Sequence, residues 1–392
     1  MNTDLELDRI LAGWLAEGAE RLPEGDLSAA LGQVDRTRQR RSVTTRRAPH
    51  AALGLAARVS VGVVVALIAL STAWTATRTV PQDVGKASTY TLDARWAAGA
   101  STPDVAFTAL VPAGAPQNIY WRAATYDRFD LDHWSQTVES TVGVPAGESL
   151  LRGSAEAPPD PLTIPIRATI RPAAFRDGLL LSPGTPVRVD AAASVRTVGA
   201  GAWLAAVEVP AAAAYTVEAR LLRLDENGGV SPARLRAAGS DYPRDVAERY
   251  TAVAPAALGP ESRAMLATIL ASTASRDPYD LAVAIDAYLK GPRFRYDATP
   301  PACDDASLVE CLARTRTGYC LHYASTMAIL LRSALPENPV PTRLVQGFLP
   351  GDRSGTVETV ANLRAHAWVE VYFEGVGWVP FDPTPAGRPI TR

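Results

Sequence analysis

One long apolar stretch of the chain carries no charge, and it divides the sequence into two unequal parts. This stretch runs from Val59 to Thr77 and is bounded by Arg58 and Arg78. An α-helix of roughly 20 apolar residues spans the hydrocarbon core of a bilayer, so the stretch is just long enough to cross a membrane. The sequence therefore predicts one transmembrane anchor helix over residues 59–77.

The charges on the two sides of this stretch indicate its orientation. The downstream side begins with only Arg78 and Lys86, partly offset by Asp83. The upstream side contains a run of arginines: Arg36, Arg38, Arg40, Arg41, Arg46 and Arg47. Because positive residues stay on the cytoplasmic side of a membrane, we expect a single-pass protein of the cell membrane. Residues 1–58 would be cytoplasmic and the remainder extracytoplasmic.

Two other interpretations of the apolar stretch are open. A cleaved signal peptide would use Ser71, Thr72 and Ala73 as its cleavage site, but residues 1–58 are far longer than the positive segment of such a signal. In a soluble chain the stretch would be a buried core helix.

The basic segment before the anchor also contains helical patterns. Apolar residues recur there at a spacing that predicts two short amphipathic helices, which would lie on the membrane or against each other: Leu7, Ile10, Leu11, Trp14 and Leu15, then Leu27, Ala30, Leu31 and Val34. The alternative is a poorly ordered basic tail that only fixes the topology.

Composition excludes several kinds of site. With 39 Lys and Arg against 41 Asp and Glu, the 392-residue chain has a formal charge of -2, which gives no reason to expect a nucleic-acid partner. The chain has only three Cys and four His, and none has the spacing of a zinc site or a CxxC redox pair. We therefore expect neither a metal nor a cofactor.

Residues 84–235 contain the patterns of short strands. Apolar and polar residues alternate from Leu162 to Ile170 and from Tyr215 to Leu221, and Pro165 within the first run predicts an edge or a bulge. Further strand-like runs at 186–190 and 202–209 favour an antiparallel, sandwich-like extracytoplasmic domain. Its densest aromatic segment runs from Tyr120 to Trp134 and predicts a hairpin packed on the sandwich, rather than a calcium loop at its three aspartates.

Near residue 240 the periodicity becomes helical. Asp277 is a suitable N-cap, Pro278 suits the first helical position, and apolar residues then follow on one face to Leu289. We place a domain boundary here and a catalytic domain over residues 240–392. The predicted fold class is α+β, in which an N-terminal anchor helix precedes a β-rich domain and a mixed C-terminal domain.

Cys320 is the candidate nucleophile of the C-terminal domain. It lies in the first turn of a helix whose apolar stripe is formed by Ala324, Met327, Ala328 and Leu331. The aligned peptide dipoles at a helix N-terminus favour a thiolate, and Gly318 allows the backbone to approach closely. A buried, inert thiol is the alternative, and a neighbouring base is needed to decide against it.

Elimination selects His366 as that base. His50 precedes the anchor, and His133 lies in the β-rich domain. His322 is only two residues from Cys320 on one helix, where side chains diverge. His366 lies in an alternating strand that places Trp368 on the same face, with one side of the strand apolar.

A second strand brings Asp382 to the face of His366. The two strands form a hairpin whose turn contains Glu374, Gly375 and Val376. If the hairpin turns about Glu374, the numbers of paired residues add up to about 748, and His366 lies opposite Asp382. A turn between Gly375 and Val376 would shift this register by about three. A carboxylate beside the imidazole would hold its tautomer, which predicts a Cys320, His366 and Asp382 triad.

These residues resemble the bacterial transglutaminase-like superfamily of the membrane-bound TgpA type. The matching segments between residues 240 and 385 are Gly318-Tyr319-Cys320, Leu331-Arg332, Pro341-Thr342-Arg343, Gly347-Phe348, His366-Ala367-Trp368 and Asp382-Pro383-Thr384-Pro385. The resemblance implies a papain-like core with catalysis by Cys320, His366 and Asp382. The joint from Leu335 to Val340 is longer than usual for the family. That type also usually has several membrane helices, whereas one is expected here.

Three functions are compatible with these motifs. The first is a membrane-anchored enzyme that transfers an acyl group through a thioester, resembling protein-glutamine gamma-glutamyltransferases and acting on a protein or peptide of the cell envelope. The second is a cysteine protease or amidase of the same fold, and the third is a non-enzymatic surface scaffold. Export would also place Cys303 and Cys311 in an oxidising compartment, where they form either a disulfide or two free thiols.

Overall fold

The computed structural model of the protein describes residues 91–92, 102–199, 203–225, 229–303 and 307–385. The predicted cytoplasmic tail with its two amphipathic helices and the predicted anchor at residues 59–77 lie outside these ranges. Within them, none of the helices combines the length and the apolar character that a membrane crossing requires.

The part of the chain up to residue 222 forms strands, as its alternating patterns predict. These strands are β1 (Thr91–Leu92), β2 (Val105–Leu110), β3 (Trp121–Tyr126), β4 (Arg128–Asp130), β5 (His133–Ser135), β6 (Ser140–Val144), β7 (Thr163–Pro172), β8 (Thr185–Val189), β9 (Ala193–Val198), β10 (Trp203–Glu208) and β11 (Tyr215–Leu222). Pro165 pairs with Arg220 of β11, whereas β2 pairs only with the far end of β7. Pro165 therefore has a strand neighbour on one side, which suits a residue without an N–H group.

Helices begin near residue 232 and alternate with the remaining strands. The helices are α1 (Pro232–Ala237), α2 (Arg244–Tyr250), α3 (Pro260–Ser272), α4 (Pro278–Leu289), α5 (Leu308–Thr315) and α6 (Cys320–Ala334). The strands are β12 (Arg295–Tyr296), β13 (Thr317–Gly318), β14 (Thr342–Phe348), β15 (Asp352–Ser354), β16 (Val357–Ala361), β17 (Ala365–Phe373) and β18 (Gly377–Phe381). As predicted, Asp277 caps α4 by accepting hydrogen bonds from the amides of Tyr279 and Asp280.

Two large sheets each combine strands from the two halves of the chain. The seven-stranded sheet has the order β18-β17-β14-β3-β10-β9-β6, and the six-stranded sheet has the order β15-β16-β2-β7-β11-β8. All their pairings are antiparallel. The sequence boundary near residue 240 thus separates a strand-rich segment from a helix-rich one, while hydrogen-bonded strands join the two segments in both sheets.

In the seven-stranded sheet the two segments are joined by the pairing of β14 with β3. Leu344 pairs with Tyr126, and Phe348 pairs with Trp121. On its other edge β14 pairs with β17, and helix α6 packs against both of these strands. Strand β17 is buried on both faces along nearly all its length, so the prediction of a strand with a single dry side was wrong. The face of β17 that carries polar and aromatic side chains is buried too, and Trp368 on this face is only 2% exposed.

Cys303 and Cys311 form a disulfide, which decides between the two states that the sequence left open. Their Cα atoms are 5.6 Å apart, a usual separation for a bridge, and the bond ties the segment after β12 to α5. The remaining described cysteine, Cys320, is free and buried.

We expect the bridge to protect two of the three cysteines from alkylation. When the full chain is denatured without reductant and treated with iodoacetamide, mass spectrometry should find the label on Cys320 alone. The double variant Cys303→Ser/Cys311→Ser should lose about 2 to 3 kcal/mol of unfolding free energy, the value expected for a loop this short. Label on all three cysteines of the unreduced wild type would contradict the bridge.

Candidate active site

Cys320 is held at the start of α6 by the strand that precedes it. Tyr319 is the N-cap residue in extended conformation, and the helix begins at Cys320 as predicted. The amide of Asp297 donates to the carbonyl of Gly318, which joins β12 to β13 directly before the nucleophile. A Cβ atom at Gly318 would lie 2.8 Å from the Cβ of His322, so a side chain at this position would displace the helix start.

His366 and Asp382 form a direct hydrogen-bonded pair. The distance from Nε2 of His366 to Oδ2 of Asp382 is 2.9 Å. The side chain of Cys320 is also near the imidazole and contributes to raising the pKa of His366. Because Nε2 faces the carboxylate, Nδ1 is the ring nitrogen that is left for the sulfur. The structure thus brings together all three residues that the sequence selected.

The register of the hairpin differs from the predicted one. Glu370 pairs with Pro380 and Phe373 pairs with Gly377, so Asp382 lies two positions away from a place opposite His366. The predicted register about Glu374 was therefore wrong, because the turn is centred on Gly375, which has a φ of 70°. A shift of two residues keeps each side chain on its face of a strand, and this is why Asp382 still reaches the imidazole.

The charges of this group are strongly coupled. Burial alone would lower the pKa of His366, but the charge and hydrogen bond of Asp382, together with the neighbouring Cys320 side chain, outweigh it and raise the pKa to about 10. Burial alone would raise the pKa of Asp382, but His366 and the amide of Thr384 hold it below its usual range. At neutral pH the pair is thus an imidazolium and a carboxylate.

The other histidines lack these properties. Burial lowers the pKa of His322 to about 4, so its ring is neutral at pH 7, and it packs edge-on against Tyr319. His133 lies in β5, where its Nδ1 is 2.8 Å from a carboxylate oxygen of its neighbour Asp132. His50 lies outside the described residues.

Sequence reasoning missed one residue of the site, Tyr120. Its hydroxyl donates a 2.9 Å hydrogen bond to Oδ2 of Asp382, the same oxygen that faces His366. Its ring also packs edge-on against His366 and Trp368, with centroids 6.3 and 5.3 Å away. In the sequence Tyr120 is only the first residue of an aromatic segment. The pairing of β3 with β14, which is distant in the sequence, brings it to the site.

Family and sequence comparisons agree with the motifs. Residues 267–383 match the family model described as the Transglutaminase-like superfamily. A protein of Pseudomonas aeruginosa named "Protein-glutamine gamma-glutamyltransferase" is 27% identical over 270 residues, which are 68% of this chain and 36% of that protein. The "Uncharacterized protein YebA" of Bacillus subtilis is 37% identical over 115 residues, which are 27% of this chain and 15% of that protein. The chain thus matches 36% of the length of the first of these relatives and 15% of the second.

Solved structures show the same fold. The crystal structure of the periplasmic domain of TgpA from Pseudomonas aeruginosa superposes with a TM-score of 0.52 at 23% identity, over 75% of this chain and 92% of that one. The same domain bound to ethylmercury gives a TM-score of 0.51 at 23% identity, over 75% of this chain and 95% of that one. The transglutaminase-like resemblance is thereby confirmed, and residues 267–383 form a core of mixed helix and sheet.

Proposed function

We propose that this protein is a thiol acyltransferase that works through a thioester, in the manner of a protein-glutamine gamma-glutamyltransferase. The observation that carries the proposal is the buried, hydrogen-bonded His366 and Asp382 pair, whose imidazole lies near Cys320 at a helix N-terminus. A base oriented by a carboxylate and adjacent to a thiol is the arrangement that nucleophilic catalysis requires. A scaffold protein would have no need of it.

The three residues divide the reaction between them. The proton of the Cys320 thiol resides on Nδ1 of His366, and the thiolate attacks the carbonyl carbon of a carboxamide. His366 returns the proton to the leaving nitrogen as the C–N bond breaks, which releases ammonia from a glutamine and leaves a thioester on Cys320. An incoming amine then gives a proton to His366 and attacks the thioester, and the thiolate is regenerated. Asp382 stays ionised, orients the ring throughout, and stabilises it whenever it is an imidazolium.

Transfer and hydrolysis differ only in the second nucleophile. Cys320, His366 and Asp382 are 2, 3 and 2% exposed, so bulk water has little access to the reacting atoms. The same burial limits the access of an acceptor amine, so the products of the reaction decide between transfer and hydrolysis. The full chain should incorporate dansyl-cadaverine into a glutamine-containing protein, whereas peptide cleavage or ammonia release without incorporation would identify a protease or an amidase.

We propose further that the described part of the chain is extracytoplasmic and is anchored by residues 59–77. The support is the arginine asymmetry around that stretch. Protease added to intact spheroplasts should digest the chain after about residue 80 and spare a membrane-bound N-terminal fragment. Release of a soluble mature form from untreated cells would contradict the anchor.

Tyr120 is proposed as a positioning residue that holds the Asp382 carboxylate toward His366. Tyr120→Phe should lower kcat about tenfold at unchanged KM, since a buried hydrogen bond to a charged group is lost. Tyr126→Phe is the matched control, because Tyr126 is also buried and ends the strand that Tyr120 directly precedes, but its hydroxyl donates to Gln346, 2.6 Å away. Equal losses of kcat in both variants would mean that Tyr120 acts only through the stability of the fold.

A further inference from the structure

A cavity of about 590 Å³ opens beside the candidate active site, between the two large sheets. We call it the hairpin cleft, because its floor includes Trp368 and Glu370 of β17 together with Trp378 and Pro380 of β18. Its opposite wall comes from the other sheet, at Ile164 and at the end of β11. Cavities of this volume are in the range that binds small ligands or part of a peptide.

The floor of the cleft continues the strand face that carries the triad. Trp368 and Glu370 follow His366 at two-residue spacing, and Pro380 and Trp378 precede Asp382 in the same way. Alternate residues of a strand share a face, so the floor extends about 13 Å from the His366 and Asp382 pair. An extended peptide of about four residues has this length.

Tyr120 connects the cleft to the triad. Its side chain lines the cavity, while its hydroxyl donates a hydrogen bond to Asp382 and its ring packs against the ring of His366. A substrate segment in the cleft would therefore contact the group that positions the base, and its next residue would lie beside Cys320.

The charged groups in the lining are already paired. Arg122 lies 2.8 Å from Glu156 and 3.6 Å from Glu370, and these two carboxylates also bind Arg343. At the rim, Arg220 lies 3.0 Å from Asp160 and Arg223 lies 3.3 Å from Asp225.

The remaining lining is largely apolar. It includes the rings of Tyr120, Trp368 and Trp378, three prolines and several aliphatic side chains. A charged substrate side chain would lose its water here without finding a free counter-charge, whereas an apolar side chain would gain by burial.

We infer that the hairpin cleft is the substrate subsite, and that it binds an extended polypeptide segment with an uncharged, apolar side chain close to the reacting residue. The inference rests on the proposed function for the identity of the reacting residue. It adds a substrate class, namely polypeptides in which an aromatic or aliphatic residue lies about two positions from the reactive glutamine, without charge at that position.

Peptide binding to the full chain tests the inference separately from the chemistry. The Cys320→Ala protein, reconstituted in lipid nanodiscs, is titrated with fluorescein-labelled heptapeptides that have a central glutamine. One series places Phe, Leu, Glu or Lys two residues before the glutamine, and the other places them two residues after it. In one series the Phe and Leu peptides should bind at least about tenfold tighter than the Glu and Lys peptides.

Two exposed strand residues provide a matched pair of variants. Ile164 and Val105 are both 38% exposed in the six-stranded sheet, but only Ile164 lines the cleft. In the same Cys320→Ala background, Ile164→Glu should lower the affinity for the Phe peptide about tenfold and remove the preference for the Phe peptide over the Glu peptide. Val105→Glu should leave this affinity and this preference unchanged. Ile164→Ala, which is easier to fold, should reduce the preference several-fold.

Three results would overturn the inference. The first is no binding of the Phe peptide at about 1 mM. The second is that the four peptides bind equally well within each of the two series. The third is that the Ile164 and Val105 variants change peptide binding equally. Discrimination by the inactive protein, without acyl transfer by the wild type, would keep the cleft and reject the proposed function. Acyl transfer by the wild type without discrimination by the inactive protein would keep the proposed function and reject the cleft as the subsite.

Discussion

Cys320→Ala should abolish acyl transfer while the protein stays folded. The sulfur is the only atom of the site that can form the thioester, so we expect a loss on the order of ten-thousandfold or more in kcat. Alanine is well tolerated in the first turn of a helix and removes only one buried atom, so thermal unfolding should change little. The measurement is dansyl-cadaverine incorporation by the full chain, with His322→Ala as the control that should keep most of the activity.

The alkylation rate of the Cys320 thiol is a second test of the same site. His366→Ala should slow alkylation of Cys320 by iodoacetamide at neutral pH, because the imidazolium that favours the thiolate is removed. Tryptic mapping of the labelled peptide measures the rate at this position alone. Equal rates in the wild type and in His366→Ala would reject the mechanism and leave Cys320 as an inert buried thiol.

Asp382→Asn should lower kcat on the order of a thousandfold without unfolding the protein. Asparagine has nearly the same shape and can still accept from the Thr384 amide, which lies 3.1 Å from Oδ1 of Asp382. It has no charge, so it cannot stabilise the imidazolium, and its amide group favours the wrong tautomer. Retention of wild-type kcat in Asp382→Asn would remove this residue from the mechanism.

The pH dependence distinguishes this electrostatic role from a structural one. The pKa of His366 is raised to about 10 in the wild type, so the alkaline limb of the rate profile should lie near that pH. In Asp382→Asn the pKa should fall toward the ordinary value of about 6.5, and the alkaline limb should move down with it.

Stability should follow the same protonation. Because folding raises the pKa of His366, protonation of this ring stabilises the folded protein fully below about pH 6.5. This contribution is lost as the pH rises toward the pKa of His366 in the folded protein. The wild type should therefore lose more unfolding free energy than Asp382→Asn between about pH 6.5 and pH 10, as measured by urea titration at each pH.

The local parts of the site could be predicted from the sequence. The helix start at Cys320 and the strand that carries His366 follow from patterns within about ten residues, which directly reflect backbone periodicity. The face of Asp382 was also predictable, because a register error of two residues does not change the face. The register itself was not predictable. Whether the turn is centred on Glu374 or on Gly375 depends on the backbone conformation of one residue, Gly375.

The non-local parts could not be predicted in this way. The pairing of Leu344 with Tyr126 joins strands far apart in the sequence, and alternation alone does not say which strands are neighbours. The patterns on either side of residue 240 therefore predict two separate domains, although the strands of the two segments share both large sheets. The hydrogen bond from Tyr120 to Asp382 was missed for the same reason, because it depends on the long-range pairing.

The sharing of both sheets has a consequence for the order in which this chain folds. When synthesis has reached β11, strand β3 still lacks its neighbour β14, and β2 still lacks β16. These strands therefore have open edges that can pair with another unfinished chain. Closing them requires contacts between residues more than 200 positions apart, such as Gly347 with Arg122, and contacts of this kind form slowly. Since Asp382 follows the last strand, the nucleophile and its base acquire their carboxylate only when nearly the whole described chain has been made, and a prematurely ended polypeptide carries the cysteine without its charge partner.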